Sequence, residues 1–259
     1  MQTECISRRL FLLACVCSSA AFLLGCEEGD IRKAAVKLVP QEELREMGIE
    51  TWRRIRSQTR PSRDAALQKK LQTIGGRMVK ASSASGGDWE FVVFRGNQIN
   101  AFVVPGNKVG FFEGMFAAAR NDSQIAAVLG HEIGHINAQH PAERIAAAFA
   151  KQVGLTIVLA ALRAGDVQYA NEIAGLLGAG LEYGVILPYS RRQEQEADRL
   201  GLEYMARAGY APGEAVTFWQ NMMAINSDRP RPLPFLSTHP SDEERIAALR
   251  EVVQQIAAR

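Results

Sequence analysis

Two histidines flanking a glutamate, His131-Glu132-Ile133-Gly134-His135, are the residues best placed to do chemistry in this sequence. Histidines four apart on a helix stand one above the other, so both imidazoles can reach a single tetrahedral ion. Glu132 projects about 100° away from His131, near enough to contact a water on that ion without being forced to bind the metal. This H-E-x-x-H arrangement predicts one Zn²⁺ per chain, held by His131 and His135, with Glu132 as the general base of a hydrolysis. The whole chain has only 4 histidines, so the pairing is not a by-product of a histidine-rich composition.

Such a metal needs a third protein ligand. His140 lies about 180° round an ideal helix from His131, so it faces the same ion only if the helix breaks first. It reads as a capping or packing residue near the helix end. A metzincin-type third histidine would fall at position 141 with glycine at 138, and these are Pro141 and Ala138. The remaining source is the acidic stretch from Tyr189 to Gly201, where Glu194 and Asp198 are four apart and share a helix face. Glu196 is about 200° from Glu194 and points elsewhere. Without the upstream histidines these charges would read as a solvated face with Glu/Arg pairs. His239 precedes Pro240 and a Ser241–Glu244 capping box, a loop position from which an imidazole can reach the metal or a developing oxyanion. In the fourth zinc position it would shut the site until substrate displaced it.

These residues need elements to hold them. Residues 41–58 and 62–81 have helical character, divided by Pro61, and Ser82 to Gly87 is a loop. Trp89–Phe94 and Ile99–Val104 read as strands joined across Gly96-Asn97, and Pro105-Gly106-Asn107 turns the chain into a third apolar segment, Val109–Phe112. From Asn121, a cap with Gln124 three residues on, Ile125, Val128, Leu129, Ile133 and Ile136 recur at helical spacing. The acidic helix begins after Pro188 and runs towards Gly209. The expected fold is α+β and mostly α-helical, a small antiparallel sheet lying beside the H-E-x-x-H helix, in one domain over 41–259.

The N-terminus reads as a targeting segment. Arg8 and Arg9 precede an apolar run from Leu10 to Leu24, too short and wrongly flanked for a mature membrane span. Leu23-Leu24-Gly25-Cys26 resembles a bacterial lipobox, which predicts a signal peptide over 1–25, lipidation at Cys26 and a polar tether over 26–40. All 4 cysteines lie at or before Cys26, so the mature chain is expected to carry no internal disulfide. Ser7-Arg8-Arg9-Leu10-Phe11-Leu12 also looks like a twin-arginine signal. Glu27, where an aspartate would signal inner-membrane retention, points to the outer membrane. The 30 basic and 28 acidic residues give a net charge of +2, with no electrostatic footprint for nucleic acid.

Taken in order, Asn100-Ala101-Phe102-Val103-Val104-Pro105-Gly106, the H-E-x-x-H run, Ser190-Arg191 with Glu194 and Asp198, and Thr238-His239-Pro240-Ser241 resemble the membrane-associated zinc metallopeptidases of the HtpX, BepA and LoiP type. The resemblance covers about residues 40–255. It implies a gluzincin-like fold, zinc held by His131, His135 and Glu194, and Asp198 supporting one of the histidines. It also implies a substrate-binding edge at Asn100, Ala101 and Phe102. Expected substrates are unfolded or misassembled envelope proteins, met by a lipid-anchored, periplasm-facing endopeptidase. Long membrane-spanning hairpins like those of HtpX are not expected, since Arg163 and Asp166 interrupt the apolar stretch after Val153, and 145–187 reads as helices over the active-site helix. A C-terminal repeat domain is not expected either. The rival reading is a lipid-anchored, chaperone-like binding factor with a structural zinc, which the open position beside Glu132 disfavours.

Overall fold

The computed structural model describes residues 41–82, 87–144, 189–227 and 229–259. The expected leader, the lipidation site at Cys26, the tether, Pro188 and the whole of the 145–187 segment lie outside these residues. The chain opens with helix α1 (Gln41–Gln58), which buries a helical stripe of Leu44, Gly48 and Trp52. Helix α2 (Ala65–Ala81) starts at Asp64, whose carboxylate accepts the free backbone N–H groups of Ala66 and Leu67.

Three strands follow: β1 (Glu90–Phe94), β2 (Ala101–Val104) and β3 (Lys108–Phe112). Here the expected antiparallel sheet is corrected. The sheet is mixed, in the order β1-β3-β2, with β1 parallel and β2 antiparallel to the central β3. The β2–β3 hairpin closes through Gly106 and Asn107, both at positive φ (86° and 61°). The Gly96-Asn97 segment does turn the chain, but it makes no β1–β2 hairpin. Gly96 donates to Glu113 Oε2 and accepts from the Gly114 N–H, and this ties the connection to the start of helix α3 (Glu113–Ala118). Alternation and turn residues mark strands locally, whereas pairing order is decided by such distant anchors.

Period-two alternation splits the sheet between two cores. Val92, Phe94 and Phe112, with Phe102 and Val104 beside them, pack on Trp52 of α1. Phe91, Val93, Ala101, Val103, Val109 and Phe111 face the main core with α2 and helix α4 (Asp122–Asn137). Helix α4 is buried continuously from Gln124 to His135, because the sheet, α2, helix α5 (Arg191–Arg207) and helix α6 (Gly213–Asn226) surround it. Helices α4 and α5 approach backbone to backbone: a Cβ on Gly201 would lie 2.8 Å from Gly130 C and 2.9 Å from His131 N, and one on Gly134 would lie 2.7 Å from Ala197 O. Helices α7 (Pro234–Thr238) and α8 (Glu243–Ala257) close the far side. The cap of α8 is Asp242, whose side chain accepts from Arg245 N, so the expected Ser241 box starts one residue too early. Among the described residues no helix is long and apolar enough to cross a membrane.

Candidate active site

The glycine seam between α4 and α5 brings the sequence-predicted ligands together. His131, His135, Glu194 and His239 each offer a ligand atom, all within 4.8 Å of one another. Their exposures run from 0 to 2%, so nothing but protein surrounds them. His131 Nε2 lies 3.0 Å from His135 Nε2 and from His239 Nδ1. Glu194 Oε2 and Oε1 lie 3.4 Å from His131 Nε2 and His135 Nε2 respectively. His239 Nδ1 stands 3.0 Å from Glu194 Oε1. Three imidazole nitrogens and a carboxylate converging on one point repel unless a proton or a cation lies among them, and two or three His with one Glu is a zinc donor set. The residues fit that metal.

The orientation of each donor has a cause. His131 Nδ1 is 2.8 Å from Asp198 Oδ1; a proton there leaves Nε2 bare and directed at the centre. Asp198 is in turn held by Arg245, through Nε to Oδ2 at 2.8 Å and Nη2 to Oδ1 at 2.9 Å. Arg245 Nη1 forms an ion pair with Glu194 Oε2 at 2.6 Å and donates to Pro240 O, while its guanidinium lies 3.6 Å from the ring centroid of Trp219. Tyr189 stacks on His135 with centroids 3.9 Å apart.

The electrostatics follow from this burial. For Asp198 and Glu194, burial works to raise the carboxyl pKa, but Arg245 beside them outweighs it, and Glu194 is held well below the usual carboxylate range. Burial likewise opposes a charge on His131, yet Glu194 and Asp198 lift its imidazole to about 9. Burial, reinforced by the neighbouring His131, pushes His135 well down. Glu132 differs: burial raises its pKa, and among the described residues neither carboxylate oxygen has a hydrogen-bond partner. Its nearest basic contact is His239 Nε2, 3.4 Å from Oε1. A desolvated carboxylate beside the donor cluster, close to an imidazole but not hydrogen-bonded among the described residues, is suited to act as a general base.

His140 stands outside the four-residue cluster but within the site. Helix α4 ends at Asn137, and Gln139, at φ 61°, reverses the chain so that His140 returns to His135. Their Nδ1 atoms are 2.8 Å apart. Glu196 is kept off the cluster and instead lies 3.6 Å from His140 Nε2.

Strand β2 runs beside α4 and is an edge strand among the described residues. Asn100 O accepts from Phe112 N, so by antiparallel alternation Asn100, Phe102 and Val104 bond to β3. The backbone N–H and C=O groups of Ala101 and Val103 therefore face the open edge. Phe102 directs its ring to Trp52 and Phe94, on the face of the sheet away from α4, and its backbone groups are among those turned to β3, so the open edge is formed by Ala101 and Val103. Sequence reasoning missed Arg245, Trp219 and Tyr189. The available signal for Arg245 was a basic residue on the buried side of α8, next to Ile246 and one turn from Leu249.

Comparison with known proteins agrees with this geometry. The mitochondrial metalloendopeptidase OMA1 of Schizosaccharomyces pombe is 38% identical over 175 residues, covering 68% of this chain and 50% of that protein. The beta-barrel assembly-enhancing protease of Escherichia coli is 29% identical over 216 residues, 82% of this chain and 44% of that one. A putative beta-barrel assembly-enhancing protease of Vibrio cholerae is 28% identical over 257 residues, 94% and 52%. The chain thus spans about half the length of these curated relatives. Residues 65–253, which carry every donor of the cluster, match the family described as Peptidase family M48, and the chain belongs to that family.

Proposed function

We propose that this chain is a zinc-dependent endopeptidase of the bacterial cell envelope, lipid-anchored at Cys26, which hydrolyses unfolded or misassembled envelope proteins. The observation that carries the hydrolytic part is Glu132, buried beside the donors with neither carboxylate oxygen hydrogen-bonded among the described residues. His131, His135 and Glu194 would hold the metal, with Asp198 and Arg245 fixing His131 and the carboxylate. When bound, Zn²⁺ supplies a Lewis acid that polarises the scissile carbonyl and acidifies water. Glu132 takes the proton of the attacking water and passes it to the departing amine. An extended peptide adds to the edge of β2 through the backbone groups of Ala101 and Val103, a mode that tolerates many side-chain sequences. His239 fills the fourth place of the cluster, so this arrangement is closed and a peptide has to displace the imidazole.

Support for the compartment is separate from the site. The name of the Escherichia coli relative places its action on beta-barrel assembly, while the Schizosaccharomyces pombe relative is mitochondrial by name. The envelope assignment therefore leans on this chain's own basic, apolar and Leu23–Cys26 segments.

Incubating residues 27–259 with unfolded casein tests the reaction. Fragments are expected with zinc, and none with chelator or in Glu132→Gln, which should keep about one zinc per chain. Intact casein beside folded, zinc-loaded wild-type protein would return the chain to the binding-factor reading.

A further inference from the structure

We propose that His140 is a positioning residue: it decides which nitrogen of His135 is free to bind the metal, and Glu196 sets His140 in the required form. The inference rests on the zinc reading of the site and deepens it.

Two Nδ1 atoms 2.8 Å apart cannot both carry protons and cannot both be bare, so this pair shares one proton. His135 is 0% and His140 1% exposed, and no water competes for the contact. With the proton on His135 Nδ1, the Nε2 lone pair of His135 faces His131 and Glu194 and is ready to ligate. With it on His140 Nδ1, the proton of a neutral His135 must sit on Nε2, where it donates towards Glu194 Oε1, 3.4 Å away, and blocks the metal. The choice is made at the far side of His140. Its Nε2 faces Glu196 Oε2 at 3.6 Å, which draws the proton of a neutral His140 to Nε2 and leaves its Nδ1 as an acceptor.

The surrounding structure holds this geometry. Gln139 at positive φ turns His140 back on the helix it has just left, and Gln193 Nε2 donates to Glu143 Oε2 at 2.7 Å, pinning residues 140–144 to α5. Tyr189, stacked on His135 at 23°, fixes the plane of the ring that must make the contact. The two metal histidines are therefore oriented by two different devices. His131 has a carboxylate backed by Arg245, and His135 has an imidazole backed by a carboxylate that is one-third exposed. The helical phase that keeps Glu196 off the ion places it behind His140.

Zinc affinity by chelator competition on the whole chain, together with thermal unfolding of the metal-free protein, tests this. His140→Phe keeps the ring volume and removes the acceptor, and should weaken zinc about 10–100-fold. His140→Asn places an amide oxygen near the position of Nδ1 and should restore affinity to within about threefold of wild type. Glu196→Gln, at a partly exposed side chain that does not threaten folding, should weaken zinc about two- to fivefold. A folded His140→Phe that binds zinc as wild type does overturns the proposal, and equal losses in His140→Phe and His140→Asn overturn it in favour of packing. Unchanged affinity in Glu196→Gln removes the carboxylate from the chain of control, whether or not the His140 variants fold. Failure of wild type itself to bind zinc would instead refute the underlying site.

Discussion

Gly201→Ala tests whether the closeness of α4 and α5 is what builds the site. A Cβ at Gly201 would lie 2.8 Å from Gly130 C and 2.9 Å from His131 N, both backbone atoms that cannot rotate away. Restoring ordinary contact at 3.4 Å requires the helices to part by about 0.6 Å. Alanine in a helix is worth about 1 kcal/mol over glycine, while overpacking costs about 1–3 kcal/mol, so the net effect on stability should be a loss of up to about 2 kcal/mol. The effect on the metal should be larger. His131 rides on α4 and both carboxylates ride on α5, so the same separation would stretch the 2.8 Å His131–Asp198 contact towards 3.4 Å, beyond a good hydrogen bond. Zinc affinity should fall about 10–100-fold. Gly76→Ala is the control: this α2 glycine has nothing within 4 Å of its missing Cβ and should gain about 0.5–1 kcal/mol with unchanged zinc affinity. Denaturant unfolding and chelator competition on both variants read the outcome. A Gly201→Ala protein that gains stability as Gly76→Ala does, with wild-type zinc affinity, would refute the argument that close approach positions the donors.

Three further outcomes are expected. Glu194→Ala should yield metal-poor, inactive protein, Asp198→Ala should weaken zinc about 10–100-fold, and Glu196→Ala at most about fivefold; measured stoichiometry with a metal-replete Glu194→Ala would show the wrong carboxylate placed on the ion. Arg245→Leu strips Asp198 and Glu194 of their buried counter-charge and should cost about 3–5 kcal/mol in urea unfolding. Arg245→Lys should recover only part of this, because the bidentate contact to Asp198 needs the guanidinium fork, and a loss below about 1 kcal/mol in the leucine variant would sink that account. Cys26→Ser should abolish lipid labelling and signal-peptidase processing, and lipid-labelled protein from that variant would refute the anchor.

What the sequence disclosed about the site tracks how local each signal is. His131, Glu132 and His135 are legible because a helix of known period converts spacing into direction, and the same arithmetic separates Glu194 from Glu196. That arithmetic stops where the helix stops. His140 read as a packing residue because its phase was counted along an unbroken helix, whereas Gln139 in the left-handed region returns it to His135. Strand positions followed from alternation, but the insertion of β3 between β1 and β2 depends on Glu113 holding Gly96, a contact between segments 17 residues apart. Arg245 lies further still from local reading. Its partners Asp198, Glu194, Pro240 and Trp219 come from α5, the loop before α8 and α6, and no local pattern links any of them to Arg245. A buried arginine is tolerated only when such partners converge, since an unpaired one would cost several kcal/mol. The catalytic pattern is thus written within one helix, but the groups that make its histidines usable ligands come from elements that meet only in the folded chain.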